Sequence, residues 1–482
     1  MKLQHLHPLA AELPDAEVTG VTADSRAVEP GFVFAALPGS RADGRRFIPQ
    51  AVEAGAVAII APTGTKADVP VLESEEPRLT LAEIASRLHH GQPAHVAGIT
   101  GTNGKTSVAR FTGQLWNALG HKAGTLGTLG AVAPGYDYAL RHTTPDPVEI
   151  HQVLSTMASL GTTHLAMEVS SHGLAQHRAD GVAFSQGAFT NITQDHLDYH
   201  PDFEDYFKAK LRLLTGLLPE GRTAVICADG AGADRVMEET RAAGRTVFST
   251  GREGSDLKLV DLAPTPTGLR IVVEADGRSH ELHLPLIGAF QADNALVAAG
   301  LAVTSGHDLA AVLPCLAEIS AAPGRMEHAG TKRMAGGEAA IYVDYAHTPD
   351  AVRTALAAAR PHAEGRVAVL LGAGGDRDRA KRPLMGRAAA EGADLVFVTD
   401  DNPRTEEAGP IREAVASGAP GARIVANRAE AIGAAVDALE PGDVLIVAGK
   451  GHEKYQIVGD VTYPFDDVAV AGEAAKAASV SA

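Results

Sequence analysis

Residues 95–106 read HVAGITGTNGKT, an apolar stretch that runs directly into a glycine-rich loop. The residues after it keep a helical period, because Val108, Phe111, Leu115 and Leu119 recur three or four apart and fall on one face. Strand, glycine loop, helix is the frame of a phosphate-binding loop. Gly101 and Gly104 let backbone N–H groups turn toward phosphate oxygens, Lys105 can reach the β- and γ-phosphates, and the Thr106 hydroxyl can ligate Mg2+. Five residues before Gly104 stands Ile99 rather than glycine, so the loop departs from the standard Walker pattern. The frame outweighs the bland alternative of a glycine turn with an incidental lysine, and ATP is the expected ligand.

Outward from this loop the chain divides into three. Residues 1–88 carry short apolar runs at 31–37 and 56–61 punctuated by Gly and Pro, the pattern of a small α/β domain. Residues 89–324 form a central P-loop-type ATPase domain, in which residues 270–286 alternate around Asp276-Gly277 as a hairpin does. After Pro323-Gly324, the runs 340–343, 366–371, 394–398 and 443–447 are short and bounded by helical patterns, which predicts a Rossmann-like parallel sheet over residues 325–482. The expected class is therefore α/β with three domains. Three of the last runs end in polar, glycine-containing loops at 372–378, 400–404 and 448–453. Loops at the carboxyl ends of parallel strands converge on one pocket.

Composition bounds the chemistry. A net charge of −17 and the lack of any Lys/Arg run exclude nucleic acid as a partner, while a phosphorylated small substrate can still be met by local cations and N–H groups. Cys227 and Cys315 cannot make a disulfide framework and are expected to be buried thiols in a reducing compartment. Residues 1–18 lack the unbroken apolar stretch of a signal peptide, and no segment has the ~18 apolar residues of a membrane span, so a cytoplasmic location is expected.

A second chemical anchor is acidic and histidine-rich: AMEVSSHGLAQHR at 166–178 and NITQDHLDYH at 191–200. Each follows an apolar stretch, which puts Glu168 and His196 at strand ends within reach of a cation near the phosphates. Either residue alone is more often a satisfied polar group in a core; their joint placement after a phosphate loop reverses that weighting.

Eight motifs now stand in one order: GTNGKT at 101, MEVSSHGL at 167, DHLDYH at 195, FKAKL at 207, VDYAHTPDA at 343, GDRDRAKRP at 375, DNPR at 401 and GKGHE at 449. Across essentially the whole chain they resemble the Mur ligases, and among these the diaminopimelate-adding members. The resemblance implies a reaction in peptidoglycan precursor synthesis. The γ-phosphoryl of ATP passes to the D-glutamate side-chain carboxylate of UDP-MurNAc-L-Ala-D-Glu, the amine of meso-diaminopimelate attacks the acyl phosphate, and phosphate leaves. A carboxylate is a poor electrophile until phosphorylated, and phosphoryl transfer asks for cationic clamping more than for covalent groups from the protein.

Residue roles follow from the same resemblance. Thr102, Asn103 and Ser107 join the loop's ATP contacts, and Thr106, Glu168, His196 and Lys210, the last as a carbamate, hold Mg2+. Asn294 matches a position near adenine, although Gln291 and Asp293 depart from the usual neighbours; Arg325, Asp344 and His347 match positions that face ATP. The UDP-muramyl substrate falls to Ser25, Ser40, Arg41 and Ala42 of the first, UDP-binding domain and to Thr143, Thr144, Ser170, Gln176 and Arg178, with His142 where Asn is common. The amino acid falls to Arg377, Asp401, Asn402, Pro403, Arg404, Gly449 and Glu453. Diaminopimelate carries a second carboxylate that lysine lacks, and the planar fork of Arg404 can hold it by two parallel hydrogen bonds while Glu453 meets the distant ammonium. The family often has Asp-Arg where this chain has Asp466-Asp467-Val468. A monomer is expected. A lysine-adding relative lacks the counterpart of Arg404, a folylpolyglutamate synthase needs neither the first domain nor DNPR, and a P-loop motor conflicts with the charge.

Overall fold

A computed structural model of the chain describes residues 1–39, 42–193, 199–265 and 267–479. It falls into two units, one of Met1–Thr250 with Val297–Asp308 and one of Gly251–Leu296 with Leu309–Ala482.

The first unit begins with four parallel strands in sequential order, β1 (Gly20–Thr22), β2 (Phe32–Ala35), β3 (Ala58–Pro62) and β4 (Val71–Ser74). The two apolar runs read from the sequence are β2 and β3. Side chains alternate across this sheet: Val33, Ile60 and Leu72 pack with Leu81, Ile84 and Ala85 of the helix Pro77–Leu88, whereas Phe34 and Ile59 pack with Ile48 and Ala51 on the other face.

Eight further strands follow: β5 (His95–Thr100), β6 (Ala123–Gly127), β7 (Gly130–Ala133), β8 (Tyr136–Tyr138), β9 (His164–Glu168), β10 (Gln186–Phe189), β11 (Thr223–Cys227) and β12 (Thr246–Gly251). Their order is β8-β7-β6-β9-β5-β10-β11-β12, with antiparallel pairing only between β6 and β7 and between β7 and β8. The chain leaves β5 toward β6 and β9 on one side and toward β10 on the other. Such a reversal opens a crevice at the strands' carboxyl ends, which is where the glycine loop emerges. The helix Lys105–Ala118 buries Val108, Phe111, Leu115 and Trp116 completely. Leu119, expected on that face, instead stands one residue past the helix.

In the second unit, β13 (Leu257–Thr265), β14 (Gly268–Ala275) and β15 (Arg278–Leu284) run antiparallel. The hairpin expected at Asp276-Gly277 is present, with both residues left-handed (φ 50° and 72°) as a two-residue turn of matching twist requires. Then come β16 (Glu327–Met334), β17 (Gly337–Asp344), β18 (Val367–Leu371), β19 (Leu395–Val398), β20 (Arg423–Ile424) and β21 (Val444–Ala448), ordered β16-β17-β21-β18-β19-β20 and parallel from β17 onward. The four apolar runs are β17, β18, β19 and β21. Val367, Val369 and Leu371 face one core and Ala368 and Leu370 the other, so this sheet is covered on both faces. A hairpin of β22 (Tyr455–Val458) and β23 (Val461–Pro464) follows.

Cys227 is buried as expected, but Cys315 is only half-buried, because it lies in a short helix on the unit's surface with Pro314 just before it. No helix among the described residues is long and apolar enough to cross a membrane.

Candidate active site

The glycine loop of the first unit adopts a backbone that only glycine accommodates. Gly101 has φ 146° and Gly104 φ 85°, and a Cβ on Gly101 would run into the Thr190 hydroxyl. The segment after β10 braces the loop: Asn191 accepts the Thr102 N–H on its carbonyl (2.8 Å) and the Asn103 N–H on Oδ1 (3.0 Å). Thr102 Oγ1 lies 2.9 Å from the Tyr206 hydroxyl. Lys105 folds over this turn, donating to the Gly101 and Thr102 carbonyls at 2.9 Å each, and Ser107 is buried in the first helical turn.

Glu168 ends β9 and is 2% exposed. Among the described residues its carboxylate accepts only from neutral groups: Thr106 Oγ1 (2.8 Å) and Thr128 Oγ1 (3.2 Å) on Oε2, and the Thr128 N–H (2.8 Å) on Oε1. No Lys or Arg pairs with it among the described residues. A buried carboxylate flanked by hydroxyl oxygens and lacking a cation is a hard-cation ligand set, which fits Mg2+. Gly127 makes the arrangement possible, because a Cβ there would overlap the Glu168 carboxylate. Lys210, on the helix Phe203–Arg212, is 1% exposed; its amine donates to the Gly101 carbonyl at 2.6 Å and lies 4.7 Å from the centre of the Tyr206 ring. His196 lies outside the described residues.

The residues of the central domain expected to meet the muramyl substrate form one network beside Glu168. Thr143 Oγ1 lies 3.0 Å from Thr128 Oγ1, Thr144 Oγ1 donates to the Glu168 carbonyl (3.2 Å) and accepts the Ser170 N–H (2.9 Å), and Arg178 donates to the Thr144 carbonyl (2.8 Å) and to Gln176 Oε1 (2.7 Å). Ser25 is elsewhere in the unit, on a cavity of about 740 Å³ lined also by Thr22, Asp24, Phe47, Gln50 and Asp146. Ala42 is not among its lining residues, and Ser40 and Arg41 lie outside the described residues.

The second unit holds the remaining expected positions. The Arg325 guanidinium stacks over Tyr345 at 4.9 Å, and Asp344, at the end of β17, accepts the Met326 N–H (2.8 Å) and the Ala346 N–H (2.9 Å). Desolvation pushes the Asp344 carboxyl up from its ordinary range, partly offset by those N–H groups and Arg325. His347 is exposed, with Lys381 donating to its carbonyl (3.0 Å). Asn294 is buried against Gln291 Oε1 at 3.1 Å, so the altered neighbour is in direct contact with it.

The three loops at the carboxyl ends of β18, β19 and β21 do converge. The Gly375 N–H donates to the Asn402 carbonyl (2.9 Å), Arg404 Nη1 donates to the Gly375 carbonyl (2.9 Å), and Asn402 Nδ2 donates to Glu453 Oε2 (3.0 Å). Arg404 is left-handed (φ 53°), and the β22–β23 hairpin holds it there: its N–H donates to the Ile457 carbonyl, and its carbonyl accepts the Gly459 N–H. Gly449 is needed because a Cβ would approach Asp401 Oδ2 to 2.7 Å. Asp401, Asn402 and Pro403 are buried, whereas Arg377 shares the first loop but is exposed. Burial and Asp401 raise the pKa of Glu453, against Lys450, the Asn402 hydrogen bond and Arg404.

Several residues in these sites were not singled out from the sequence. Gly127-Thr128 lies at the end of β6 and Thr190-Asn191 directly after β10, and a small or hydroxyl residue at a strand's carboxyl end was the available signal. Lys450 stands inside GKGHE but was assigned no role.

Comparison with known proteins places this geometry. The Mur ligase family catalytic domain matches residues 17–89, the Mur ligase middle domain residues 99–302, and the Mur ligase glutamate ligase domain residues 324–451. A UDP-N-acetylmuramoyl-L-alanyl-D-glutamate–2,6-diaminopimelate ligase from Caulobacter vibrioides is 51% identical over 94% of this chain and 95% of its own length. Its namesake from Mesorhizobium japonicum is 48% identical over 96% of this chain and 97% of its own. A solved structure of a ligase of that name superimposes with a TM-score of 0.75 at 32% identity, covering 99% of both chains.

Proposed function

The chain belongs to the Mur ligase family, and from that premise we propose that it adds meso-diaminopimelate to the D-glutamate side-chain carboxylate of UDP-MurNAc-L-Ala-D-Glu at the expense of ATP. The observation that carries the substrate is the grouping of Arg404 and Glu453 around Asn402. The far end of diaminopimelate is itself an α-amino acid, with a carboxylate for the guanidinium fork and an ammonium for Glu453. Lysine offers only the ammonium and leaves Arg404 without its partner. The lysine-adding and folylpolyglutamate alternatives give no use to this pairing.

In the first unit the loop N–H groups and Lys105 would clamp the triphosphate, and Thr106, Glu168 and Lys210 as a carbamate would hold Mg2+, with His196 as a further ligand by resemblance. Bound there, Mg2+ neutralises phosphate charge during transfer. Thr143, Thr144, Ser170, Gln176 and Arg178 lie next to Glu168 and would hold the muramyl peptide so that its carboxylate meets the γ-phosphoryl. Ser25 and its cavity would take the uridine end, with Ser40, Arg41 and Ala42 as further contacts by resemblance. In the second unit Asn294, Arg325, Asp344 and His347 would contact the nucleotide; Arg377, Asp401, Pro403 and Gly449 would frame the amino acid. Phosphorylation breaks the bond between the β- and γ-phosphoryl groups of ATP, releases ADP and converts the glutamate carboxylate into an acyl phosphate; the neutral amine then forms the new C–N bond, the C–O bond to phosphate breaks, and the nitrogen gives up one proton. ATP and a UDP-linked substrate put the reaction in the cytoplasm.

The test is phosphate release with the UDP-linked dipeptide, ATP and Mg2+, comparing meso-diaminopimelate with L-lysine. A site built around a carboxylate rejects the analogue without it, so kcat/KM for lysine is expected to be lower by at least ~10²-fold. Equal rates with the two amino acids would overturn the assignment.

A further inference from the structure

Lys450 is fully buried beside the amino-acid loops. Its ammonium donates to Asn402 Oδ1 (2.8 Å) and to the Tyr455 carbonyl (2.8 Å), and Asp401 Oδ1 lies 3.6 Å away. Lysine is almost never buried completely without such partners, because hiding an ammonium from water is costly. An apolar side chain would fill the same space more cheaply, so the position is informative for what its donors do.

They act on one amide. Asn402 Oδ1 accepts from Lys450 and also from the Ile457 N–H at 3.0 Å. Neither group can accept a hydrogen bond, so the amide can turn only its oxygen toward them. Nδ2 is thereby forced to the other side, where it donates to Glu453 Oε2. Its second hydrogen has no partner among the described residues. With the amide flipped, an oxygen would face the Glu453 carboxylate, two acceptors together in a site where Asn402 is 2% exposed.

Resting on the function proposed above, we propose that Lys450 is a positioning residue for amino-acid selection: by fixing the orientation of the Asn402 amide it sets Glu453 to accept the ammonium of the incoming amino acid beside Arg404. Lys450 touches neither substrate nor nucleotide in this role. Its positive charge also opposes the upward shift that burial and Asp401 impose on Glu453, so its loss leaves Glu453 easier to protonate.

The experiment is a double-mutant cycle on the full chain. Lys450→Met is expected to raise KM for diaminopimelate at least tenfold, keep KM for ATP and for the UDP-linked dipeptide within twofold, and move the acid limb of kcat/KM to higher pH. At a pH above the acid limb, where Glu453 is ionised in both, Asn402→Ala and the K450M/N402A double variant are expected to agree within twofold in KM for diaminopimelate, since Lys450 then acts through Asn402. Additive losses, or a parallel rise in all three KM values, would overturn the proposal. Should Lys450→Met not fold, Asn402→Asp decides: it keeps an acceptor for Lys450 but cannot donate to Glu453, and an unchanged KM for diaminopimelate sinks the relay. If the wild-type protein uses a different amino acid, the proposed function fails while the cycle is read with that amino acid.

Discussion

Arg428 and Asp467 form a two-pronged ion pair with both side chains fully buried, Nε to Oδ1 and Nη2 to Oδ2 each at 2.7 Å. Arg428 opens the helix Arg428–Asp437 and Asp467 opens the helix Asp467–Ala478. The same guanidinium donates to the Ala448 carbonyl (3.0 Å) at the end of β21 and to the Asp400 carbonyl (3.4 Å) after β19. Two of the three converging loops are thus tied by one arginine. The family often has Asp-Arg where this chain has Asp466-Asp467-Val468, and here Asp467 is paired with Arg428.

Removing one member of such a pair strands a buried charge. Arg428→Met is expected to destabilise the second unit by about 3–5 kcal/mol in denaturant unfolding, and an added Asp467→Leu to recover most of that loss. A single-variant loss below ~1 kcal/mol would show that the charge is solvated and the burial argument wrong.

Gly127 faces a different constraint. A methyl group there overlaps the Glu168 carboxylate, which is fixed by three neutral donors. Gly127→Ala should therefore displace the carboxylate, lower turnover at least tenfold and move the Mg2+ activation curve to higher concentration. A turnover loss with unchanged Mg2+ dependence would count against Glu168 as a metal ligand.

These two positions mark the boundary of what the chain discloses as a string. The parallel strands, the Asp276-Gly277 hairpin and the glycine loop were legible because each depends on neighbours close in sequence: a run of aliphatics, a turn dipeptide, a spacing of glycines. Convergence of the loops after β18, β19 and β21 was legible from topology, since parallel strands share a carboxyl end. Thr128 and Glu168 are 40 residues apart, and Arg428 and Asp467 are 39 apart. Pairings of that kind depend on strand and helix placement, which periodicity does not encode. Lys210 shows the same limit from the other side: read alone, the second lysine of FKAKL is a solvated helix lysine, and only the packing shows it buried.

Acid should destabilise the first unit through His151. This imidazole is 4% exposed, lies 3.1 Å from the Asp180 carbonyl, and has its pKa lowered to about 4 by burial. The unfolded chain binds a proton near pH 6.5 that the folded one refuses until about pH 4, so stability is level above that window and falls as pH drops through it. The full effect is up to about 3 kcal/mol. His151→Gln should flatten the Tm-against-pH curve between those limits; an unchanged slope would assign the acid sensitivity to other groups.

Arg404 can be separated from its neighbours by comparing two substitutions. Arg404→Ala removes the fork, and Arg404→Lys keeps the charge as a single ammonium without the paired geometry. Both are expected to lower kcat/KM for diaminopimelate, by ~10²-fold or more for alanine and by about tenfold or more for lysine, with KM for ATP unchanged. If lysine fully substitutes, charge rather than planar recognition selects the amino acid.

The proposed carbamylation of Lys210 gives the sharpest chemical prediction. The side chain is 1% exposed and its amine is held at the Gly101 carbonyl, so this lysine is a structural part of the phosphate loop's surroundings rather than a surface cation. Carbamylation joins a neutral amine to CO2, forming an N–C bond and releasing one proton, and turns the residue from a cation into an oxygen donor suited to Mg2+. Carbon-13 NMR in labelled bicarbonate is expected to show one carbamate signal in the wild-type protein that is absent from Lys210→Ala. The variant should lose at least ~10²-fold in turnover, and added bicarbonate should help it no more than it helps a control. Normal turnover in Lys210→Ala, or a carbamate signal that survives the substitution, would remove Lys210 from the metal site and leave Thr106 and Glu168 to hold the cation with His196.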